Sequence, residues 1–116
     1  DCRRCFPWDE TQWNSELLKH YQQLIELRKQ RRELQEGDLI SLFEQGDVWV
    51  FTRWLAEQHS IVIVNRGSRQ QLKLDLNTLQ QVYEYHDPLT GARYSTENGC
   101  LELNLAAQSS FVLTSV

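Results

Sequence analysis

WNSELLKHYQQLIELRKQRRELQEG, from Trp13 to Gly37, is the stretch whose reading decides the fold, because the chain before it reads as irregular loop and the chain after it as strands. Placed about 100° apart on a helical wheel, Trp13, Leu17, Leu18, Tyr21, Leu24, Ile25 and Leu27 fall on one arc of about 180°. Glu16, Lys19, Gln22, Gln23, Glu26 and Gln30 lie opposite. The pattern predicts an amphipathic helix whose apolar face is wider than the roughly 100° stripe an ordinary surface helix needs. Such a face calls for more than one covering neighbour, and the strands that follow supply only part of that cover.

The helix ends are also legible. Asn14 or Ser15 can accept a hydrogen bond from the first free N–H groups, and Glu16 stands where the positive end of the helix dipole favours it. Arg28, Lys29, Arg31 and Arg32 gather near the other end, where free carbonyls carry partial negative charge, and Gly37 is expected to leave the helix at positive φ. The basic run is therefore read as a helix terminus followed by a short connector, Arg31 to Gly37, whose Leu34 turns inward. A nucleic-acid patch is the competing reading. The chain carries net charge −4 and shows no second basic cluster, so no nucleic-acid partner is expected.

At 116 residues there is chain for one core, burying about two-thirds of the surface an unfolded chain exposes. Hydrophobic content of 41% and charged content of 24% are those of an ordinary globular protein. No apolar run approaches the roughly 20 residues that cross a bilayer, so no membrane partner is expected. The chain opens Asp1–Cys2 without any methionine and reads as a piece of a longer polypeptide. With no signal peptide in view, the expected location is cytoplasmic. Its three cysteines, Cys2, Cys5 and Cys100, do not form a disulfide framework. Cys2-x-x-Cys5 lacks two further ligands for zinc, since His20, His59 and His86 are scattered, and a redox pair should open a helix after a strand. Packing cysteines are the simpler reading, and neither a metal nor a cofactor is expected.

In chain order, Asp1–Gln12 is a polar loop that carries Phe6 and Trp8, large rings that need cover. Asp38–Glu44 reads as a strand with Leu42 and Phe43 out of strict alternation, and Gly46-Asp47 as a turn. Val48–Trp54 is apolar on both faces and is expected to be covered on both. Ser60–Asn65 is continuously apolar and reads as a central strand. Leu72, Leu74 and Leu76, and likewise Leu101, Leu103 and Leu105, are the inward rows of half-exposed strands, with Lys73, Asp75, Glu102 and Asn104 facing water. Val82–His86 is another strand, and Asp87–Gly91 a turn. Asn98-Gly99 signals a hairpin joining Ala92–Thr96 to Cys100–Leu105, and Ser110–Thr114 closes the sheet. The expected fold is mainly β: an N-terminal loop and one amphipathic helix, then an antiparallel sandwich of Greek-key type with seven to eight strands.

No phosphate loop, nucleophile elbow or His-x-x-x-His pair is present, and the carboxylates fall at turns or on outward positions. No catalytic residue is assigned. Several pieces together go further: DCRRCFPWDE, YQQLIELRKQRRELQEGD, DVWVFTR, IVIVNRG, and DPLTG followed by GCLELNLAAQSSFVL. In order and spacing they resemble the end of an α-amylase-superfamily glycoside hydrolase, nearest the neopullulanase, cyclomaltodextrinase and maltogenic amylase group. The chain departs from that pattern at Cys5, where the group usually has Pro or Thr, and at Arg31-Arg32, near which it often has His-Pro.

The resemblance implies that residues 1–36 are the loop after the eighth strand and the last helix of an incomplete (β/α)8 barrel, and residues 37–116 a C-terminal antiparallel β-domain. It implies a parent enzyme acting on α-1,4 and α-1,6 linked glucans by a retaining double displacement. Its two catalytic carboxylates and a third acidic residue lie upstream, so the piece itself is expected to be silent. The partners implied are the barrel of the same polypeptide and its α-glucan substrate. Arg3, Arg4 and Trp8 match a loop at the active-site face of the barrel, where they either line an outer substrate subsite or pack the loop onto the barrel. Two other functions compete: a carbohydrate-binding module using Trp49, Trp54, Tyr83 or Tyr85, and a domain that dimerises through the helix.

Overall fold

The computed structural model describes residues 15–55, 58–77 and 84–115. Helix α1 runs Ser15–Gln30, with Glu16 in its first turn and Arg28 and Lys29 in its last. Its final backbone bond runs from Arg31 N to Leu27 O at 3.0 Å. The free carbonyls beyond are met by an amide that was not anticipated. Gln35 Nε2 donates to the carbonyl of Arg28 at 2.6 Å and of Lys29 at 3.2 Å, satisfying two of the acceptors every helix end leaves open.

The stretch expected as a connector contains a second short helix, α2, Glu33–Glu36. Gly37 does not take positive φ; it is extended at φ −71° and ψ 159°. Its small size serves a different need. A Cβ there would strike the carbonyl oxygen of Glu33 and come within 2.6 Å of that of Trp54, so glycine is required by the closeness of two backbones.

Eight strands follow: β1 Asp38–Gln45, β2 Val48–Leu55, β3 Gln58–Asn65, β4 Gln70–Asp75, β5 Glu84–His86, β6 Arg93–Ser95, β7 Cys100–Leu105 and β8 Ser109–Ser115. They form a six-stranded sheet, β1-β2-β3-β8-β5-β6, and a two-stranded sheet, β4-β7, with antiparallel pairing throughout. The mainly β, antiparallel sandwich expected from the sequence is the fold observed. A register shift between Ser41 and Phe43 explains the broken alternation of β1: a bulge lets both Leu42 and Phe43 pack against the core. In the small sheet Leu72, Leu74, Leu76, Leu101, Leu103 and Leu105 are buried as their spacing required. They meet Val48, Val50, Ile61, Ile63, Tyr85 and Leu113 of the large sheet.

Three strand expectations need correction. β2 is not covered on both faces: Val48, Val50 and Thr52 are buried, but Trp49 on the opposite face remains 41% exposed among the described residues. Asn98 at φ 53° and Gly99 at φ 75° do form a tight turn closed by Glu97 and Cys100 at 2.9 Å in both directions. The strands it joins part company, however. β6 pairs with β5 in the large sheet and β7 with β4 in the small one, so the turn carries the chain from one layer to the other. Finally, β8 does not close an edge. It lies inside the large sheet between β3 and β5.

Candidate docking face and its joint

Helix α1 presents the side chains that its spacing placed on one arc, but the rest of the described molecule covers only one end of that arc. Leu27 in the last turn is 6% exposed, and Leu24 is half-buried. Leu18, Tyr21 and Ile25 are 40%, 56% and 55% exposed. Their spacing of three and four residues makes them one stripe. Large apolar side chains aligned in this way mark a surface built to be covered.

Where α1 ends, a buried polar joint fastens it to the sheet. Glu33 of α2 is fully buried. Its Oε1 accepts from Arg31 Nε at 2.6 Å and from Ser60 Oγ of β3 at 2.8 Å. Its Oε2 has no partner among the described residues. A buried carboxylate is tolerated only when paired, and here the guanidinium of Arg31, itself 20% exposed, does the pairing. Arg31 Nη2 also reaches the carbonyl of His59 at 3.4 Å. Beneath, Thr52 Oγ1 donates to the Ser60 carbonyl at 3.0 Å, tying β2 into the same cluster. From the adjacent position of β2, Arg53 closes Nε and Nη2 on the carbonyl of Gly37 at 3.2 and 2.9 Å.

His59, 3% exposed, shares a 2.6 Å hydrogen bond between Nε2 and the Tyr85 hydroxyl, with the two rings edge to face at 5.4 Å. Burial lowers the imidazole pKa from its ordinary 6.5; Arg31 lowers it further, and Glu33 opposes. Burial pushes the Tyr85 hydroxyl up to about 12. Both side chains are therefore held neutral around pH 7.

Arg3, Arg4 and Trp8, the residues placed near substrate by sequence, lie outside the described residues, as do Cys2, Cys5 and Tyr83. The aromatic residues considered as a sugar platform do not come together. Tyr85 is 1% exposed and committed to His59, while Trp49 and Trp54 are separated by an odd number of positions and so point to opposite faces of β2. The Trp49 N–H is already engaged by Ser41 Oγ at 3.1 Å. Among the described residues no three His, Cys, Asp or Glu side chains converge as metal ligands. Sequence reasoning passed over Glu33, His59 and Ser60. The available signal was the polar pair His59-Ser60 opening an otherwise apolar strand.

Residues 37–113 match the family model of the alpha-amylase C-terminal domain. The chain belongs to the alpha-amylase C-terminal domain family. Similarity to individual proteins extends through the helix as well. The chain is 32% identical over 118 residues to a cyclomaltodextrinase of Geobacillus thermopakistaniensis, covering 100% of this chain and 20% of that protein. It is 32% identical over 121 residues to neopullulanase 2 of Thermoactinomyces vulgaris, covering 97% of this chain and 20% of that one. Against a cyclomaltodextrinase of Thermoanaerobacter pseudethanolicus it is 35% identical over 72 residues and spans only 12% of the relative's length. Among solved structures, the Nostoc punctiforme debranching enzyme superposes with a TM-score of 0.76 at 31% identity, over 99% of this chain and 24% of the other. An Anoxybacillus alpha-amylase reaches 0.85 over 100% of this chain and 25% of its own, and at 23% identity it speaks for the fold alone. As an alpha-amylase C-terminal domain the chain is an accessory unit and not the catalytic one.

Proposed function

We propose that this C-terminal domain stabilises the catalytic (β/α)8 barrel of an amylase-type enzyme acting on α-1,4 or α-1,6 linked glucans. In this reading residues 1–36 are the final loop and helix of that barrel, and residues 37–116 are the appended β-domain. The observation that carries it is the uncovered stripe Leu18, Tyr21 and Ile25 on a helix whose last turn is anchored to the sheet. One end of α1 belongs to the β-domain and the other awaits a larger body. The relatives named cyclomaltodextrinase and neopullulanase, several times longer than this chain, support a glucan as substrate and a catalytic unit as that body. On the same reading Arg3, Arg4 and Trp8 stand at the mouth of the active site, where the two arginines and the indole line an outer subsite.

The test is Ile25→Asp in the enzyme that carries this domain. Covering an isoleucine is worth about 1.5–3 kcal/mol, and a buried unpaired carboxylate adds to the loss. The expected result is a melting temperature lower by roughly 5–10 °C, with faster thermal loss of glucan hydrolysis. An unchanged melting temperature would show that nothing covers the stripe and would refute the reading.

A further inference from the structure

We propose that the joint between α1–α2 and the large sheet is an acid-sensitive latch, in which protonation of His59 frees α2 from β2 and β3. The geometry supplies the reason. His59 lies under Arg31, whose guanidinium holds the His59 carbonyl at 3.4 Å, and its neighbour Ser60 holds Glu33 Oε1 at 2.8 Å. The same Oε1 already takes Arg31 Nε at 2.6 Å, so the one carboxylate that joins α2 to β3 is shared between two donors. A cation on the imidazole places a second positive charge beside Arg31 in a site sealed from water, where repulsion is weakly screened. Either Arg31 or His59 must then move toward solvent. Moving Arg31 withdraws it from both Glu33 and the strand carbonyl.

The charged and titratable groups facing His59 among the described residues are Arg31 from the end of α1, Glu33 from α2 and Tyr85 from β5. Tyr85, with its hydroxyl pushed up to about 12, stays protonated through the acidic range and follows the ring without changing charge. His59 is lowered in the folded state by burial first and by Arg31 second, from 6.5. A lowered value means that the unfolded or opened state binds the proton first. The stabilising contribution is therefore complete above pH 6.5 and is lost as pH falls through the lower folded value. The inference is independent of the enzyme's substrate.

Hydrogen exchange read by mass spectrometry on the whole enzyme tests it, between about pH 7.5 and about pH 5.5 and corrected for intrinsic exchange rates. In the wild type the opening constant of peptides covering 31–37 should rise about tenfold on acidification, as expected when opening is coupled to one proton. Peptides from β4 and β7, which touch none of these groups, should not change. His59→Gln, whose amide can still bond the Tyr85 hydroxyl, should abolish the rise. A flat wild-type profile, or an undiminished rise in His59→Gln, overturns the proposal. If His59→Gln is already open at the higher pH, Tyr85→Phe provides the check: it keeps the imidazole and must still open on acidification, and a flat profile there overturns the latch as well.

Discussion

Glu33→Ala should destabilise the domain by about 3 kcal/mol, the range found when one member of a buried ion pair is removed. The first urea transition of the enzyme, followed by tryptophan emission, would report it. Arg31 then keeps its charge against the sheet with no counterion, Ser60 Oγ loses its acceptor, and the side-chain volume of a fully buried residue is left empty. Two features set the value at the lower end. Arg31 is 20% exposed and can recover water, and the lone Oε2 already costs the native state part of its desolvation. The companion variant Arg31→Met with Glu33→Leu should regain most of the loss, because replacing both charges leaves no orphan. If Glu33→Ala is harmless, α2 is not fastened to β3 through this carboxylate.

Gly37→Ala should cost about 3 kcal/mol, near the top of the usual range for overpacking. Its φ of −71° suits alanine, so the backbone torsion adds nothing. The loss is steric: the new methyl would meet the carbonyl oxygens of Glu33 and Trp54, both backbone atoms that cannot swing aside as a side chain would. Making room separates α2 from β2 and loosens the grip of Arg53 on the Gly37 carbonyl. Gly46→Ala is the contrast. Gly46 has φ +60° with open space around it, and alanine there should lose only the roughly 1–2 kcal/mol of a left-handed backbone. Thermal denaturation of the two variants side by side distinguishes crowding from torsion, and equal losses would contradict the account given for Gly37.

What the chain announced locally, the structure keeps. The stripe of α1, the leucine rows of β4 and β7, and the Asn98-Gly99 turn all follow from periods of 3.6 and 2 or from positive φ at one residue. Partners distant in sequence were not legible. Nothing in Arg93–Ser95 or Cys100–Leu105 says that strands flanking a two-residue turn enter different layers. Nothing in Ser109–Ser115 says that it lies between β3 and β5. Glu33 looked like solvated charge because its partner on β3 stands 27 residues away. Gly37 was read through its torsional freedom, while its actual constraint is the oxygen of Trp54, a neighbour only after folding. For the docking face, the arc on α1 was written in the helix itself, whereas the loop residues Arg3, Arg4 and Trp8 lie outside the described residues.

The position of β8 has a bearing on synthesis. Val62 and Val112 are paired neighbours, as are Tyr85 and Ser115, so both flanks of β8 are bonded to strands translated well before it. A ribosome that has delivered β1 through β7 has made two separate half-sheets with bare margins where β3 and β5 await the same ribbon. Margins of that kind recruit strands from other nascent chains. Translation stalled, or a reading frame cut, just ahead of Ser109 should therefore give inclusion bodies in place of a smaller soluble product.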